Sequence, residues 1–169
     1  MLIEKEKIRY GRQLVMPHIG EEGQKKLKHS HVLVAGVGGL GSLSSIYLTS
    51  LGIGHLKIVD HGSVQMSDLN RQILYNERDI GLKKADIAYE KLSLLNSDIL
   101  IESICEEITS ENILRQIKGV QIVIDGTDNF ETRLILNKAC FEKKIPYVYG
   151  GIFGFKGKMT TFLPGRTLC

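Results

Sequence analysis

Residues His31-Val-Leu-Val-Ala-Gly36-Val-Gly38-Gly39-Leu40-Gly41 pass from an unbroken apolar run straight into a glycine-rich turn, an order that few folds accommodate. The apolar part, His31 to Val37, predicts a strand buried on both faces, and the spacing after the turn predicts a helix from Gly39. Gly36 permits the tight turn, Gly38 lets the backbone approach a phosphate without a Cβ, and Gly41 allows close helix–strand packing. With Gly39 and Leu40 they form a loop whose helix N-terminus offers free N–H donors to an anion. A second apolar strand, Leu56 to Asp60, ends about 20 residues on in a carboxylate placed to accept from ribose hydroxyls. On these residues alone the site reads as one for a dinucleotide; the alternative is a glycine turn kept for packing, and the second half of the chain changes the answer.

With 169 residues, 43% of them hydrophobic, the chain can bury one α/β core. Residues 1–169 are therefore expected to form one domain, a helical arm over 1–29 and a Rossmann-like core over 30–169. The net charge of +3 comes from scattered basic residues, so no obligatory nucleic-acid partner is expected. No apolar run approaches the roughly 18 residues of a membrane span, and the first residues lack the apolar core of a signal peptide. A cytoplasmic protein without a membrane partner is expected. Cys105, Cys140 and Cys169 are few, odd in number and far apart, which fits a reducing compartment; Cys105 and Cys140 are expected to be small buried apolar residues.

In the arm, Ile8, Tyr10 and Leu14 are expected to face a core, with Pro17 and Gly20 stopping a first helix before Glu21 to Lys28 resumes one. After the glycine turn, Leu40, Leu43, Ile46, Tyr47 and Leu51 carry helical spacing up to a C-cap at Gly52. A polar stretch from His61 to Asp79 precedes a helix over 82–95 and a strand over 100–105. A helix capped by Thr109 or Ser110 ends before Gly119, and a strand over 120–125, a helix over 129–143 and a strand over 147–150 follow. Such alternation predicts a doubly wound, mostly parallel sheet, and the alternating segment from Lys156, joined without a helix, predicts an antiparallel strand near the C-terminus.

Several groups lie near the strand ends, and redox chemistry on a nicotinamide or flavin would give them nothing to do. They are Asn70-Arg71-Gln72, Lys84, and Asp125-Gly-Thr127-Asp128-Asn129. Arginine and lysine neutralise polyphosphate, and a carboxylate can hold Mg²⁺ that bridges phosphate oxygens. Singly, each has a plainer reading: Lys84 and Arg71 as solvated surface, Asp128-Asn129 as a helix cap. Their order together with the glycine turn favours a triphosphate.

In Arg9-Tyr-Gly-Arg12-Gln, Gly36-Val-Gly-Gly-Leu-Gly41, Asp68-Leu-Asn70-Arg71-Gln72, Gly81-Leu-Lys-Lys84 and Thr127-Asp-Asn-Phe-Glu-Thr-Arg133 the chain resembles the MoeB/ThiF/HesA adenylyltransferases, relatives of the ubiquitin-activating enzymes. The resemblance runs over essentially the whole sequence. It implies that ATP lies over the glycine loop, that Asp60 holds the ribose, that Asn70, Arg71 and Lys84 contact the phosphates, and that Asp128 binds Mg²⁺. Asp68, Gln72, Thr127 and Asn129 complete the implied nucleotide site. Arg12 becomes a finger reaching into the site of a second protomer, which implies a homodimer. The implied substrate is the C-terminal glycine carboxylate of a ubiquitin-like sulfur-carrier protein in molybdopterin, thiamine or related biosynthesis, and the product an acyl adenylate. A tRNA-modifying adenylating dehydratase, an NAD- or FAD-dependent oxidoreductase and a non-catalytic adaptor are the alternatives. Relatives continue into Cys-x-x-Cys pairs, and Cys169 matches the first of these cysteines. One cysteine cannot build a four-ligand site, so Zn²⁺ is expected only in a longer chain, of which this is the N-terminal part. Lys83 stands where many relatives carry proline, a change the helix start should tolerate.

Overall fold

The computed structural model describes residues 2–167. Three short helices form the arm: α1 (Glu4–Arg9), α2 (Gly11–Leu14) and α3 (Gly20–Lys28). The core then alternates β1 (His31–Ala35), α4 (Gly39–Leu51), β2 (His55–Val59), α5 (Lys84–Leu95), β3 (Leu100–Ile104), α6 (Ile113–Gln116), β4 (Ile122–Asp125), α7 (Phe130–Lys143), β5 (Tyr147–Phe153) and β6 (Lys156–Phe162). Two 3-10 turns, Met66–Asp68 and Glu77–Asp79, give shape to the polar stretch between β2 and α5.

The sheet order is β3-β2-β1-β4-β5-β6, with β6 alone antiparallel to its neighbour. Alternation along β1 builds both cores at once. Val32 and Val34 join Leu56, Ile58, Ile87, Ala88 and Leu92 beneath α4 and α5, while Leu33 and Ala35 join Val59, Val123, Leu136 and Ala139 beneath α6 and α7. This is the doubly wound, Rossmann-like arrangement expected. Because the order reverses between β1 and β4, the loops leaving their carboxyl ends diverge to opposite faces and leave a crevice between them.

Three packing expectations are corrected. In α4 the buried face is Gly41, Ser42, Ser45 and Thr49, while Leu43 and Tyr47 of the apolar series point outward. The helix lies so close to the strand layer that a Cβ on Gly41 would sit 1.7 Å from the Gly36 carbonyl oxygen, so only small residues fit there. In the arm, the first helix already breaks at Tyr10, and Ile8 is 82% exposed. The arm is instead anchored by Leu2, by buried Glu6 paired with Lys28 at 2.6 Å, and by Tyr10, whose ring lies against Gly52 and whose hydroxyl accepts from Asn96 Nδ2 at 2.9 Å. Cys140 is buried as expected, and burial pushes its thiol up to about 12. Cys105 is not: it is exposed just past β3, its Sγ 3.2 Å from Asp86 Oδ1, because the strand has ended one residue earlier. Cys169 lies outside the described residues.

Candidate active site

Three glycines make the floor of the crevice. Gly36 turns at φ +78°, where an L side chain is strained, and a Cβ there would lie 3.1 Å from the Gly126 oxygen; one on Gly126 would lie 2.5 Å from the Gly36 oxygen. With Gly41 pressed on the same carbonyl, the loops after β1 and β4 meet backbone to backbone. Gly38 is the N-cap of α4, and no side chain among the described residues caps the helix. The first N–H groups of this 13-residue helix therefore face the crevice as free donors at the positive end of its dipole.

Asp60, at the carboxyl end of β2, backs this loop: Oδ2 accepts from Val37 N at 2.9 Å and Oδ1 from Gly62 N at 2.7 Å. Tyr75 ties the same loop to the start of α5, donating to the Val37 oxygen at 2.9 Å with the Lys84 oxygen at 3.3 Å. Burial, with Asp60, Asp68 and Asp79 nearby, pushes its phenol far above the ordinary range, so it stays a neutral donor.

The cations converge on Asp68, which is only 6% exposed. Its carboxylate holds Lys84 Nζ at 3.0 Å, Gln72 Nε2 at 2.9 Å and the Gln65 N–H at 3.0 Å, with Arg71 Nη2 at 3.6 Å. Burial raises this carboxyl's pKa, but Lys84, the Gln65 N–H and Arg71 outweigh it and hold the group below its usual value. Asp68 thus fixes the heads of the cations from behind. Arg71 stays exposed, its stem beside Gly39 and its Nη1 on the Ser67 oxygen and Asn70 Oδ1 at 2.8 and 3.0 Å.

Across the crevice, two aspartates three residues apart behave oppositely. Asp125 is 2% exposed and accepts from Thr127 N at 2.8 Å, Thr127 Oγ1 at 2.6 Å and Tyr147 Oη at 2.5 Å. Burial and this carboxylate push the Tyr147 phenol far up. Asp128 is exposed and has no side-chain partner among the described residues. Asn129 caps α7, accepting from Thr132 N at 2.8 Å. No group of three or more His, Cys, Asp or Glu side chains that could hold a metal ion occurs among the described residues, so a divalent cation at Asp128 would not sit in a cage of such side chains. An open site with one or two carboxylates is the kind Mg²⁺ takes. Beside the glycine floor, a cleft of about 350 Å³ opens between α4 and the β5–β6 hairpin, lined by Leu40, Ser44, Ile124, Val148, Gly150 and Met159.

The glycine loop, Asp60, Asp68, Asn70, Arg71, Gln72 and Lys84 thus gather on one side of the crevice and Thr127, Asp128 and Asn129 on the other. Arg12 is the exception. It is exposed on α2, whose neighbour Gln13 donates to the Leu51 oxygen at 3.1 Å, at the far end of α4 from the glycine loop. At ~1.5 Å per residue that helix separates them by roughly 20 Å. Sequence reasoning misses Tyr75 and Gly126. Gly126 carries a usable signal, a glycine directly after a strand end, whereas Tyr75 carries none.

The ThiF family matches residues 10–169. A probable molybdopterin-synthase adenylyltransferase from Porphyra purpurea is 44% identical over 154 residues, covering 91% of this chain and 40% of that protein. A sulfur carrier protein ThiS adenylyltransferase from Bacillus subtilis is 41% identical over 163 residues, covering 95% of this chain and 48% of that protein. The chain therefore spans less than half the length of these two relatives. Among solved structures, the Escherichia coli tRNA threonylcarbamoyladenosine dehydratase in complex with ATP superposes with a TM-score of 0.82 at 26% identity, covering 87% of this chain and 60% of that one.

Proposed function

Because the chain belongs to the ThiF family, we propose that the protein of which it is part is an adenylyltransferase that activates the C-terminal glycine carboxylate of a ubiquitin-like sulfur carrier with ATP. The observation that carries this reading is the pairing of an uncapped helix N-terminus over the glycine floor with Lys84 and Arg71 held on Asp68, facing a free Asp128.

A carboxylate oxygen attacks the α-phosphorus, the bond from that phosphorus to the α–β bridging oxygen breaks, and pyrophosphate leaves with the electron pair. The carboxylate is already ionised at neutral pH, so no general base is required. The obstacle is repulsion between two anions. The helix N–H groups hold the phosphates, and Lys84 and Arg71 stabilise charge on the pentavalent phosphorus and the departing pyrophosphate. Mg²⁺ at Asp128 would supply further neutralisation of the phosphate oxygens. Asp60, beside the loop, is the ribose-binding group in this reading. Arg12 acts from a second protomer in a cytoplasmic homodimer, since its own crevice lies beyond its reach; an arginine finger in related phosphoryl chemistry is worth about 10³ to 10⁵ in rate.

The test is exchange of labelled pyrophosphate into ATP with Mg²⁺, on a chain extended to its natural terminus and offered candidate carriers ending in Gly-Gly. Carrier-dependent exchange is expected, lost in Asp128→Asn with the fold intact by circular dichroism. Exchange within a few-fold of wild type in that variant removes the Mg²⁺ role from Asp128. A second reading, adenylation of a tRNA nucleoside carboxylate, draws on the ATP-bound dehydratase that shares the fold. It gains if ATP binds but no carrier elicits exchange.

A further inference from the structure

The loop that carries Asp128, residues 126–129 between β4 and α7, is held by Gly126 N on the Ala35 oxygen at 2.8 Å, by Asp125 and, from the side of α7, by one residue. Arg133, one turn into α7 and 21% exposed in its side chain, reaches back over the loop. Its Nη2 donates to the Thr127 oxygen at 2.6 Å and to the Gly150 oxygen on β5 at 3.3 Å, and its Nη1 donates to Tyr149 Oη at 3.4 Å. The guanidinium carbon stands 5.0 Å from the centre of the Tyr149 ring, and Nε lies 3.6 Å from Asp125 Oδ2. Thr127 is thereby gripped from both sides, its N–H and hydroxyl by Asp125 and its carbonyl by Arg133. Asn129 is fixed as the cap of α7. Asp128 is left as the one unattached side chain between two anchored residues, and the same guanidinium joins its loop to Gly150, which lines the cleft beside the glycine floor.

We propose that Arg133 is a positioning residue: by clamping the Thr127 carbonyl to the Gly150 carbonyl it sets where Asp128 stands relative to the glycine floor and the cleft beside it. The proposal rests on the adenylation reading for its catalytic consequence, though not for the clamp itself. The planar fork matters, because guanidinium presents several donors in fixed directions and remains charged at any physiological pH, whereas an ammonium gathers its three donors on one compact atom and does not span acceptors spread along a fork. A misplacement of about 1 Å in such a site can cost on the order of 10²-fold in rate.

Hydrogen–deuterium exchange and pyrophosphate exchange on the extended protein separate the two layers. In Arg133→Met the amides over 126–130 are expected to exchange faster, with β4 and the later turns of α7 unchanged. The pyrophosphate-exchange kcat is expected to fall at least tenfold with the KM for ATP within about twofold, and the Mg²⁺ concentration for half-activation to rise. Arg133→Lys is expected to fall between wild type and Arg133→Met in all three. Unchanged amide exchange over 126–130, or a loss seen only as raised KM for ATP, overturns the proposal. Should Arg133→Met fail to fold, Arg133→Lys carries the test alone, and a wild-type amide pattern in it is the overturning result. A wild-type protein inactive with every carrier defeats the adenylation reading, while the amide data still decide the clamp.

Discussion

At the residue scale the decisive contrasts are between identical side chains. Asp125, at the end of an apolar strand, accepts from Thr127 and Tyr147, whereas Asp128, three residues on among polar neighbours, is exposed and has no side-chain partner among the described residues. The turn at Gly36 and the close packing at Gly41 read correctly because their need is local: a Cβ on Gly41 meets the Gly36 oxygen whatever surrounds it. A different contrast lies at the amino-terminal ends of the central strands, where His31 and His55, aligned at the starts of β1 and β2, pack with ring centres 3.6 Å apart. Burial first, then His31 and Lys57, lower the His55 pKa against the opposing pull of Glu102. A depressed folded-state value means that the unfolded chain binds the proton more readily. The resulting stability is therefore present above the unfolded pKa and is lost as pH falls through the folded one. Thermal melts between about pH 7.5 and 5.5, a window around the ordinary histidine pKa, should show His55→Gln losing less stability than wild type. Parallel pH profiles for the two proteins would exclude this source.

Elements were legible where a backbone signal marked them. The strands before the glycine turn and at Asp60 and Asp125 end within two residues of their expected ends, and Gly52 closes α4 in the left-handed conformation, φ +80°. What the pattern could not reveal was which face of α4 is packed. Apolar spacing points to Leu43 and Tyr47 as well as Ile46, but the fully buried positions are Gly41, Ser42, Ser45 and Thr49, with Ile46 and Leu48 packed partly buried beside them. Distance between layers, which periodicity does not encode, decided it. The start of α5 offers a test at this scale. Lys83 is the N-cap, with φ −68°, already the value proline imposes, and its N–H makes no backbone hydrogen bond among the described residues. Lys83→Pro should therefore raise stability by about 0.4 to 1 kcal/mol through the unfolded chain, less the exposed bond from Lys83 Nζ to the His61 oxygen. A lowered midpoint in urea would mean that Leu82 cannot adopt the conformation proline demands of its predecessor.

On the scale of the whole molecule, strand order places the crevice between β1 and β4, and the arm carries Arg12 to the opposite end of α4. If Arg12 completes the site of a second protomer, two variants should rescue each other. Arg12→Ala mixed equally with Asp128→Asn should recover about a quarter of wild-type exchange, since half the dimers are hybrids with one intact site each. No recovery after subunit exchange would remove Arg12 from the site. The sequence by itself determined the alternation of strands and helices, the turn at Gly36 and the close packing at Gly41, and it singled out the cations Arg71 and Lys84 as candidates, because each depends on residues close together along the chain. Tertiary structure alone decided that Asp68 is the anchor of those cations, that Tyr75 and Arg133 brace the two loops, and that Arg12 lies away from its own crevice. Those facts depend on which carbonyls and carboxylates distant segments bring within hydrogen-bonding reach, and no local pattern records that.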